Sequence, residues 1–171
     1  MNTLIISSSL SKNSKSFVLC KAVQKKLLAH KVNVTLIDAR NISINKYHHK
    51  DTDDKKWLSK QIEKNDNIII GMGVHNFSIN DNLKIILDNC FSEASGKFFG
   101  IICAAGGEKS YLSTIHLTQI CMNQWKMIQL PQIIYATHKD FNDDKIVSNQ
   151  LIEIIKKFID EFLCIGKKLL N

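Results

Sequence analysis

TLIISSSLSKNSKS, residues 3–16, joins an apolar run to a serine-rich segment that contains no glycine. The apolar half is typical of a strand that is covered on both faces. The sequence FVLCKAVQKKLLAH follows at residues 17–30, with apolar residues at helical spacing. Because a loop between a buried strand and a helix usually uses glycine for its curvature, this one is unusual. The segment predicts a strand, a loop lined with hydroxyl groups and a helix.

The same alternation of strand and helix continues along the chain. Strands are predicted at residues 3–7, 32–38, 67–73, 97–105 and 132–137. Helices are predicted at 16–30, 53–64, 81–93 and about 109–124, and a last helix carries the apolar series Leu151, Ile155, Phe158, Phe162, Ile165 and Leu169. This order indicates an α/β fold, a doubly wound five-stranded parallel sheet with helices on both faces. We expect a single domain over residues 1–171.

The loops that follow the strands are the expected ligand site, because doubly wound sheets bind ligands outside the carboxyl ends of their strands. These loops are residues 7–16, 73–81 and 104–111. The first contains neither a GxGxxG nor a Walker pattern, which disfavours a dinucleotide or a nucleoside triphosphate there. Serine hydroxyls at a helix N-terminus suit a terminal monophosphate. In the alternative interpretation, Ser14 only caps the helix and the other serines face water.

The charge pattern bears on possible partners. The chain has a formal net charge of +7, yet Arg40 is its only arginine among 23 basic residues. Nucleic-acid-binding proteins rely on arginine for bidentate contacts to bases and phosphates. We therefore expect no nucleic-acid partner. No apolar stretch approaches the length of a membrane span, so we expect no membrane partner either.

The cysteines and histidines indicate neither disulfides nor a metal site. The five cysteines are widely spaced in apolar contexts and form no CxxC pair. The chain also begins directly with a strand rather than a signal peptide, so we expect reduced, mostly buried thiols and a cytoplasmic location. His48 and His49 precede several aspartates but lack the spacing of a helical zinc site. A solvated loop is expected there, and no metal.

Three segments at strand ends carry a family resemblance: SSLSKNSKS (8–16), HNFSINDNLKIILDN (75–89) and CAAGGEKSYL (103–112). With the strand VTLID, their order resembles the NADPH-dependent FMN reductase family, which has the flavodoxin-like fold. The family's first loop reads approximately Gly-Ser-Leu-Arg-x-x-Ser-x-Asn. Its second reads Pro-x-Tyr-Asn-x-Ser-Ile-Pro-x-x-Leu-Lys-x-x-x-Asp. The resemblance covers nearly the whole chain.

The chain departs from these patterns at several positions. In the first loop, Ser11 stands where the family has arginine, and Ser16 stands where it has asparagine. In the second loop, Gly73 and Asn80 stand where the family has prolines. His75 stands where it has tyrosine, and Phe77 where it has glycine. These changes bear on flavin affinity and acceptor choice. An aromatic ring at position 77 either stacks on a flavin or fills part of its site.

The resemblance implies an FMN site with NADPH or NADH as the electron donor. It assigns the phosphate to Ser9, Ser11, Ser14 and Ser16, and the edge of the isoalloxazine ring to His75, Asn76, Phe77 and Ser78. The turn of Ala105, Gly106 and Gly107 is expected to offer backbone N–H groups to the N1/C2 carbonyl side, where negative charge develops on reduction. No catalytic protein residue is expected, because the flavin carries the redox chemistry.

The implied function is an FMN-dependent NAD(P)H oxidoreductase that passes hydride or electrons through flavin N5 to a quinone, a flavin or a similar acceptor. A homo-oligomer, dimer or tetramer, is expected. The alternatives are a non-enzymatic electron carrier and a diverged flavodoxin-like protein without bound flavin. Electron-carrying flavodoxins are typically acidic, and the charge of +7 argues against that variant.

Overall fold

The computed structural model describes residues 1–170, which contain nine β-strands and five α-helices. The strands are β1 (Asn2–Ser7), β2 (Asn33–Asp38), β3 (Asn67–His75), β4 (Ser78–Ile79), β5 (Phe98–Ala105), β6 (Ile128–Gln129), β7 (Ile134–Thr137), β8 (Phe141–Asn142) and β9 (Lys145–Ile146). The helices are α1 (Lys15–Ala29), α2 (Asp53–Lys64), α3 (Asp81–Cys90), α4 (Ser113–Trp125) and α5 (Asn149–Lys168).

The central sheet is parallel, with the strand order β2-β1-β3-β5-β7. This is the flavodoxin-like order, so the predicted five-stranded doubly wound sheet is confirmed. Short β6, which was not predicted, pairs with the amino end of β5 beside β7. Pro131 lies between β6 and β7, and the edge strand is interrupted there because proline has no N–H to donate to the ladder.

The helices cover both faces of the sheet, as predicted. On one face, α2, α3 and α4 pack against Leu4, Ile6 and their neighbours on β3 and β5. On the other face, α1 and α5 pack against Ile5, Ile69 and the inward side chains of β7. Successive residues of a strand therefore point into opposite cores. Because both positions are buried, the strands appear in the sequence as continuous apolar runs.

Helix α5 lies close to the sheet because Gly100 on β5 has no side chain. A Cβ atom at position 100 would lie 2.6 Å from the ring of Phe158, too close for any real contact. Phe158 and Phe162 stack with their ring centroids 5.9 Å apart. Both rings are fully buried. Of the apolar series that predicted this helix, Leu151, Ile155, Phe158 and Phe162 form its core face, whereas Ile165 is half-buried and Leu169 is exposed just after the helix ends.

Two predicted helices have different ends in the structure. Helix α3 ends at Cys90 rather than residue 93, and a 3₁₀ turn continues over Phe91–Ala94. Helix α4 begins at Ser113 rather than about residue 109, because Glu108–Ser110 forms a separate 3₁₀ turn closed by a bond from the Tyr111 N–H to the Glu108 carbonyl. Such i→i+3 turns are common at helix ends.

Two further features concern the chain as a whole. Four of the five cysteines are buried, Cys164 is exposed, and all five are free thiols. Within residues 1–170, none of the helices combines the length and the apolar character that crossing a bilayer would need.

Candidate functional site

The carboxyl ends of four strands meet at one edge of the sheet. Ser7 pairs in register with Gly71, Gly73 with Ala104, and Ala105 with Thr137. The chain order reverses between β1 and β3, which makes this pair the topological switch point. Ligands of doubly wound sheets bind at that point.

A cleft of about 410 Å³ opens at this edge. Six of the eleven predicted site residues line it: Ser9, Ser11, Ser14, Ser16, Ala105 and Gly106. The other residues of its lining are Asn13, Lys15, Gly73, Ala104, Thr137, His138, Phe141 and Asp143. The remaining predicted residues, His75, Asn76, Phe77, Ser78 and Gly107, lie outside the lining. The structure thus joins the loops after β1 and β5, whereas the loop after β3 lies outside the lining and its Ser78 lines a separate pocket beside His116.

The serine-rich loop combines helix capping with an open set of donors. The Ser14 hydroxyl accepts a bond from the Phe17 N–H (3.1 Å) and lies 3.0 Å from the Ser16 hydroxyl. Both serines are buried, whereas Ser11 is exposed. In the described chain, the N–H groups of Lys15 and Ser16 at the start of α1 have no hydrogen-bond partner. Capping by Ser14 is therefore real, and unpaired donors remain beside it for an anion.

Lys15 links this loop to a hairpin that was not predicted. Its Nζ donates to the Asp143 carbonyl (2.7 Å) and pairs with Asp144 Oδ1 (3.3 Å) in the turn between β8 and β9. The same hairpin carries Phe141 into the cleft lining. Strands of two residues have no periodicity to detect, and only the aspartate pair, a common turn signal, marked this turn in the sequence.

Arg40 also contacts the loop, although the sequence reasoning used it only as an indicator of charge. Its guanidinium pairs with Asp38 (2.5 Å) at the end of β2 and donates to the Lys12 carbonyl (3.2 Å). Burial raises the pKa of Asp38, but the hydrogen bonds and charge of Arg40 outweigh burial and hold that pKa below its usual value. Arg40 therefore supports the serine-rich loop at Lys12 and does not line the cleft.

The turn after β5 is held by two side chains from β7 and the residues that follow it. The Tyr135 hydroxyl donates to the Gly107 carbonyl (2.6 Å), and His138 Nδ1 lies 2.8 Å from the Gly106 carbonyl. In residues 1–170, the N–H groups of Gly106 and Gly107 have no partner. A Cβ atom at either glycine would meet no protein atom within 4 Å. The space beside the turn is open, and its donors are available to a ligand.

The loop after β3 is a tight hairpin whose tip is Asn76 and Phe77. Val74 pairs with Ile79 and His75 with Ser78, so the turn has two residues. Their φ angles are +48° and +59°, as a type I′ turn requires at both positions. Glycine is the favoured second residue of this turn, and a bulky residue there is strained. Phe77 is 64% exposed and points away from the core.

The remaining polar groups of the hairpin bond outside the cleft. The Ser78 hydroxyl lies 2.9 Å from His116 Nδ1 on α4. His75 Nδ1 lies 3.6 Å from an oxygen of Asp81, at the start of α3. The Ser78–His116 contact joins the hairpin to α4, whereas His75 and Asp81 are both exposed and lie beyond hydrogen-bond distance.

The cysteines near the strand ends are not poised as nucleophiles. Burial raises the pKa of the Cys20 and Cys103 thiols to about 12. Both are therefore protonated at neutral pH. No group of three or more His, Cys, Asp or Glu side chains suited to a metal ion occurs in the described residues.

A larger cleft of about 870 Å³ lies between α3 and α4, lined among others by Leu87, Gln119 and Trp125. It is larger than the cleft at the strand ends, but its lining contains no strand end and no glycine turn. The smaller cleft combines unpaired N–H donors with the switch point. The smaller cleft is therefore the candidate functional site.

Comparisons with known proteins agree with the flavodoxin-like fold described above. Among solved structures, the chain is similar to an apo NADH:FMN oxidoreductase, EMOB (17% identity, TM-score 0.80, 94% of this chain and 87% of that one). It is also similar to FerB, a flavoenzyme NAD(P)H:(acceptor) oxidoreductase from Paracoccus denitrificans (18% identity, TM-score 0.78, 98% and 97%). A flavodoxin from the domain Archaea matches over the full length of both chains (15% identity, TM-score 0.69).

The sequence comparisons define the family. No curated protein matches the chain significantly. The family described as NADPH-dependent FMN reductase matches residues 1–142, which include every strand end that lines the cleft. The chain therefore belongs to the NADPH-dependent FMN reductase family.

Proposed function

We propose that this chain is an FMN-dependent NAD(P)H oxidoreductase that passes electrons from a reduced nicotinamide to a small acceptor such as a quinone or a free flavin. The observation that carries the proposal is the cleft at the switch point. It brings Ser9, Ser11, Ser14 and Ser16 together with Ala105 and Gly106, which are about 90 residues away in the chain. Both similar oxidoreductases, EMOB and FerB, are named for nicotinamide-dependent activity.

The cleft fits a flavin mononucleotide in size and in the chemistry of its donors. Its volume of about 410 Å³ lies within the range of small-molecule sites. Hydroxyl groups and unpaired N–H groups at one end suit a phosphate monoester. The open space beside Gly106 and Gly107, which a side chain would fill, leaves room for a flat ring close to the backbone.

At the phosphate end, we assign binding to Ser9, Ser11, Ser14 and Ser16. Lys15 also lines the cleft, but its Nζ is held by the Asp143 carbonyl and by Asp144, so we do not assign it to the phosphate. One hydroxyl of the Ser14–Ser16 pair, the hydroxyls of Ser9 and Ser11, and the free N–H groups of the first turn of α1 can each donate to a phosphate oxygen. Such bonds to a charged group contribute about 1.5–3 kcal/mol each.

At the ring end, we assign the Ala105–Gly107 turn to the N1/C2 carbonyl side and the hairpin residues His75, Asn76, Phe77 and Ser78 to the ring edge. Tyr135 and His138 hold the carbonyls of the turn, so its N–H groups are preorganised. Bound FMN supplies the hydride-accepting N5 atom, and no catalytic side chain is assigned.

The proposal extends to assembly and location. We propose a single FMN-binding domain over residues 1–171 that works in the cytoplasm as a homodimer or tetramer, with no nucleic-acid or membrane partner. Exposed Leu112, Ile115 and Met122 on or beside α4 support self-association. The free thiols support a reducing compartment.

The test is the flavin content and activity of the purified protein. We expect yellow protein, or protein that binds added FMN, and NADPH or NADH oxidation that requires FMN and an acceptor. FMN binding without nicotinamide oxidation would favour an electron carrier. Failure to bind FMN at micromolar concentration would indicate a diverged protein without flavin and overturn the proposal.

Phe77→Gly is expected to change stability and FMN affinity in opposite directions. Glycine adopts the +59° φ angle without strain, so the free energy of unfolding should rise by about 1 kcal/mol. Loss of one aromatic contact with the ring should weaken FMN binding by about 0.5–1.5 kcal/mol. Urea unfolding and flavin-fluorescence titration measure the two effects. Lys126→Gly is the matched control, since Lys126 also has a positive φ angle (+52°) and lies outside the cleft lining, so glycine there should raise stability and leave FMN affinity unchanged. Tighter FMN binding by the glycine variant would identify Phe77 as an obstruction.

A further inference from the structure

Ser8 is the most densely hydrogen-bonded residue at the base of the serine-rich loop. Its N–H donates to the Gly71 carbonyl (2.9 Å), and its hydroxyl lies 2.8 Å from that carbonyl and 2.8 Å from Asn80 Oδ1. Its own carbonyl accepts from Asn80 Nδ2 and Asn82 Nδ2, each at 3.1 Å. Ser8 is fully buried and Asn80 is 2% exposed. The cluster spans the switch point between β1 and β3.

The side chain of Asn80 is used in an unusual way for its position. Asn80 is the N-cap residue of α3, where asparagine normally accepts a bond from the N–H of its own helix. Its side chain makes no such bond. Both ends of the amide are directed to Ser8, 72 residues away, instead. The helix therefore loses a cap, and the serine-rich loop gains two bonds.

The backbone at position 80 does not itself require asparagine. Its φ is −68°, which is the angle that proline imposes. In the described chain its N–H has no hydrogen-bond partner. Proline, the residue in the family pattern, would fit the same backbone. What distinguishes asparagine here is its pair of bonds to Ser8.

We propose that Asn80 is a positioning residue that fixes the path of the serine-rich loop from the adjacent β3–β4 hairpin. The loop contains no glycine, so its path depends on tethers rather than on special backbone angles. Ser9, the first residue assigned to the phosphate, directly follows Ser8. The hairpin residues assigned to the ring edge lead directly into Asn80. The residue thus couples the two ends of the site, and its effect on the cofactor rests on the proposed FMN function.

The test uses Asn80→Pro, which keeps the backbone and removes both bonds, together with Asn80→Ala. Asn89→Ala is the matched control, because Asn89 lies on the same helix and its Nδ2 bonds only to the Ile85 carbonyl (2.8 Å). Circular dichroism and thermal unfolding verify that each variant folds. FMN and riboflavin affinities are then compared, since riboflavin lacks the phosphate.

Both Asn80 variants should lower FMN affinity by about tenfold, the equivalent of about one lost buried bond to a well-ordered loop. Riboflavin affinity should fall by less than about threefold, and the control should change neither. A purely structural role would lower both affinities together and leave their ratio unchanged. An unchanged FMN-to-riboflavin ratio in Asn80→Pro would overturn the inference.

A second measurement does not depend on flavin. Hydrogen exchange of the Ser8 amide, followed by NMR in the protein without added ligand, should become about fivefold faster in both Asn80 variants, relative to amides in the middle of α5. Unchanged exchange at Ser8 would contradict the tether. If the unsubstituted protein binds no FMN, the proposed function fails, and this exchange measurement still decides whether Asn80 positions the loop.

Discussion

Replacing Ser9 and Ser14 together with alanine is expected to weaken FMN binding by about 2–4 kcal/mol, because two charge-assisted bonds to the phosphate are lost. Both residues line the cleft at the start of α1. Fluorescence titration of FMN against the two proteins gives the two dissociation constants directly. Equal constants would contradict the assignment of the phosphate to this loop.

The control for this variant has to separate binding from helix capping. The Ser14 hydroxyl caps α1, so alanine there also removes about 1 kcal/mol of stability. Ser148 caps α5 in the same way, accepting from the Leu151 N–H at 3.2 Å, and it does not line the cleft. Ser148→Ala should therefore lower stability by a similar amount and leave FMN affinity unchanged.

Phe158→Ala is expected to lower the free energy of unfolding by about 3–5 kcal/mol. The ring is fully buried, stacks on Phe162 and covers the space that Gly100 leaves open on β5. Alanine would leave a cavity between α5 and the sheet that the rigid strand cannot fill. Urea unfolding monitored by circular dichroism measures the change.

Ile152→Ala is the matched control for the core variant, since Ile152 lies on the same helix and is 40% exposed. Its effect should remain below about 1 kcal/mol, because little apolar surface is returned to water. A loss at Phe158 as small as the loss at Ile152 would mean that α5 does not form the second core.

The family match and the lining of the cleft cover almost the same part of the chain. The three strand-end segments, read in order, carry the resemblance, and the family match over residues 1–142 includes all three. The β8–β9 hairpin lies at the end of that match, yet Phe141 and Asp143 contribute to the cleft. Of the residues that line the cleft, Asp143 lies beyond the matched range.

Departures from the family pattern have different physical consequences. Phe77 occupies a turn position that favours glycine, and its strain is local to the hairpin tip. Asn80 occupies a position that suits proline and uses its side chain for bonds to Ser8. Of these two residues, only Asn80 contacts the serine-rich loop, because its bonds to Ser8 cross the switch point.

The sequence alone determined the structural features that depend only on residues close together in the chain. The apolar runs of β1, β3 and β5, the 3.6-residue period of α5 and the cap at Ser14 all lie within a few residues, so they could be read directly. The five-stranded doubly wound sheet followed from their alternation, because parallel strands with right-handed crossovers allow few other arrangements.

Only the tertiary structure decided which side chains share the cleft and which lie outside its lining. Thr137, His138 and Phe141 reach it because β7 pairs with β5, and Lys15 meets the β8–β9 turn across 128 residues. The bonds between Ser8 and Asn80 span 72 residues and leave no periodic trace. Phe77 turns outward because a two-residue turn imposes positive φ angles on its tip. These features depend on contacts between residues that are distant in the chain, or on backbone angles that strand pairing sets. Local residue patterns encode neither the distant contacts nor those angles.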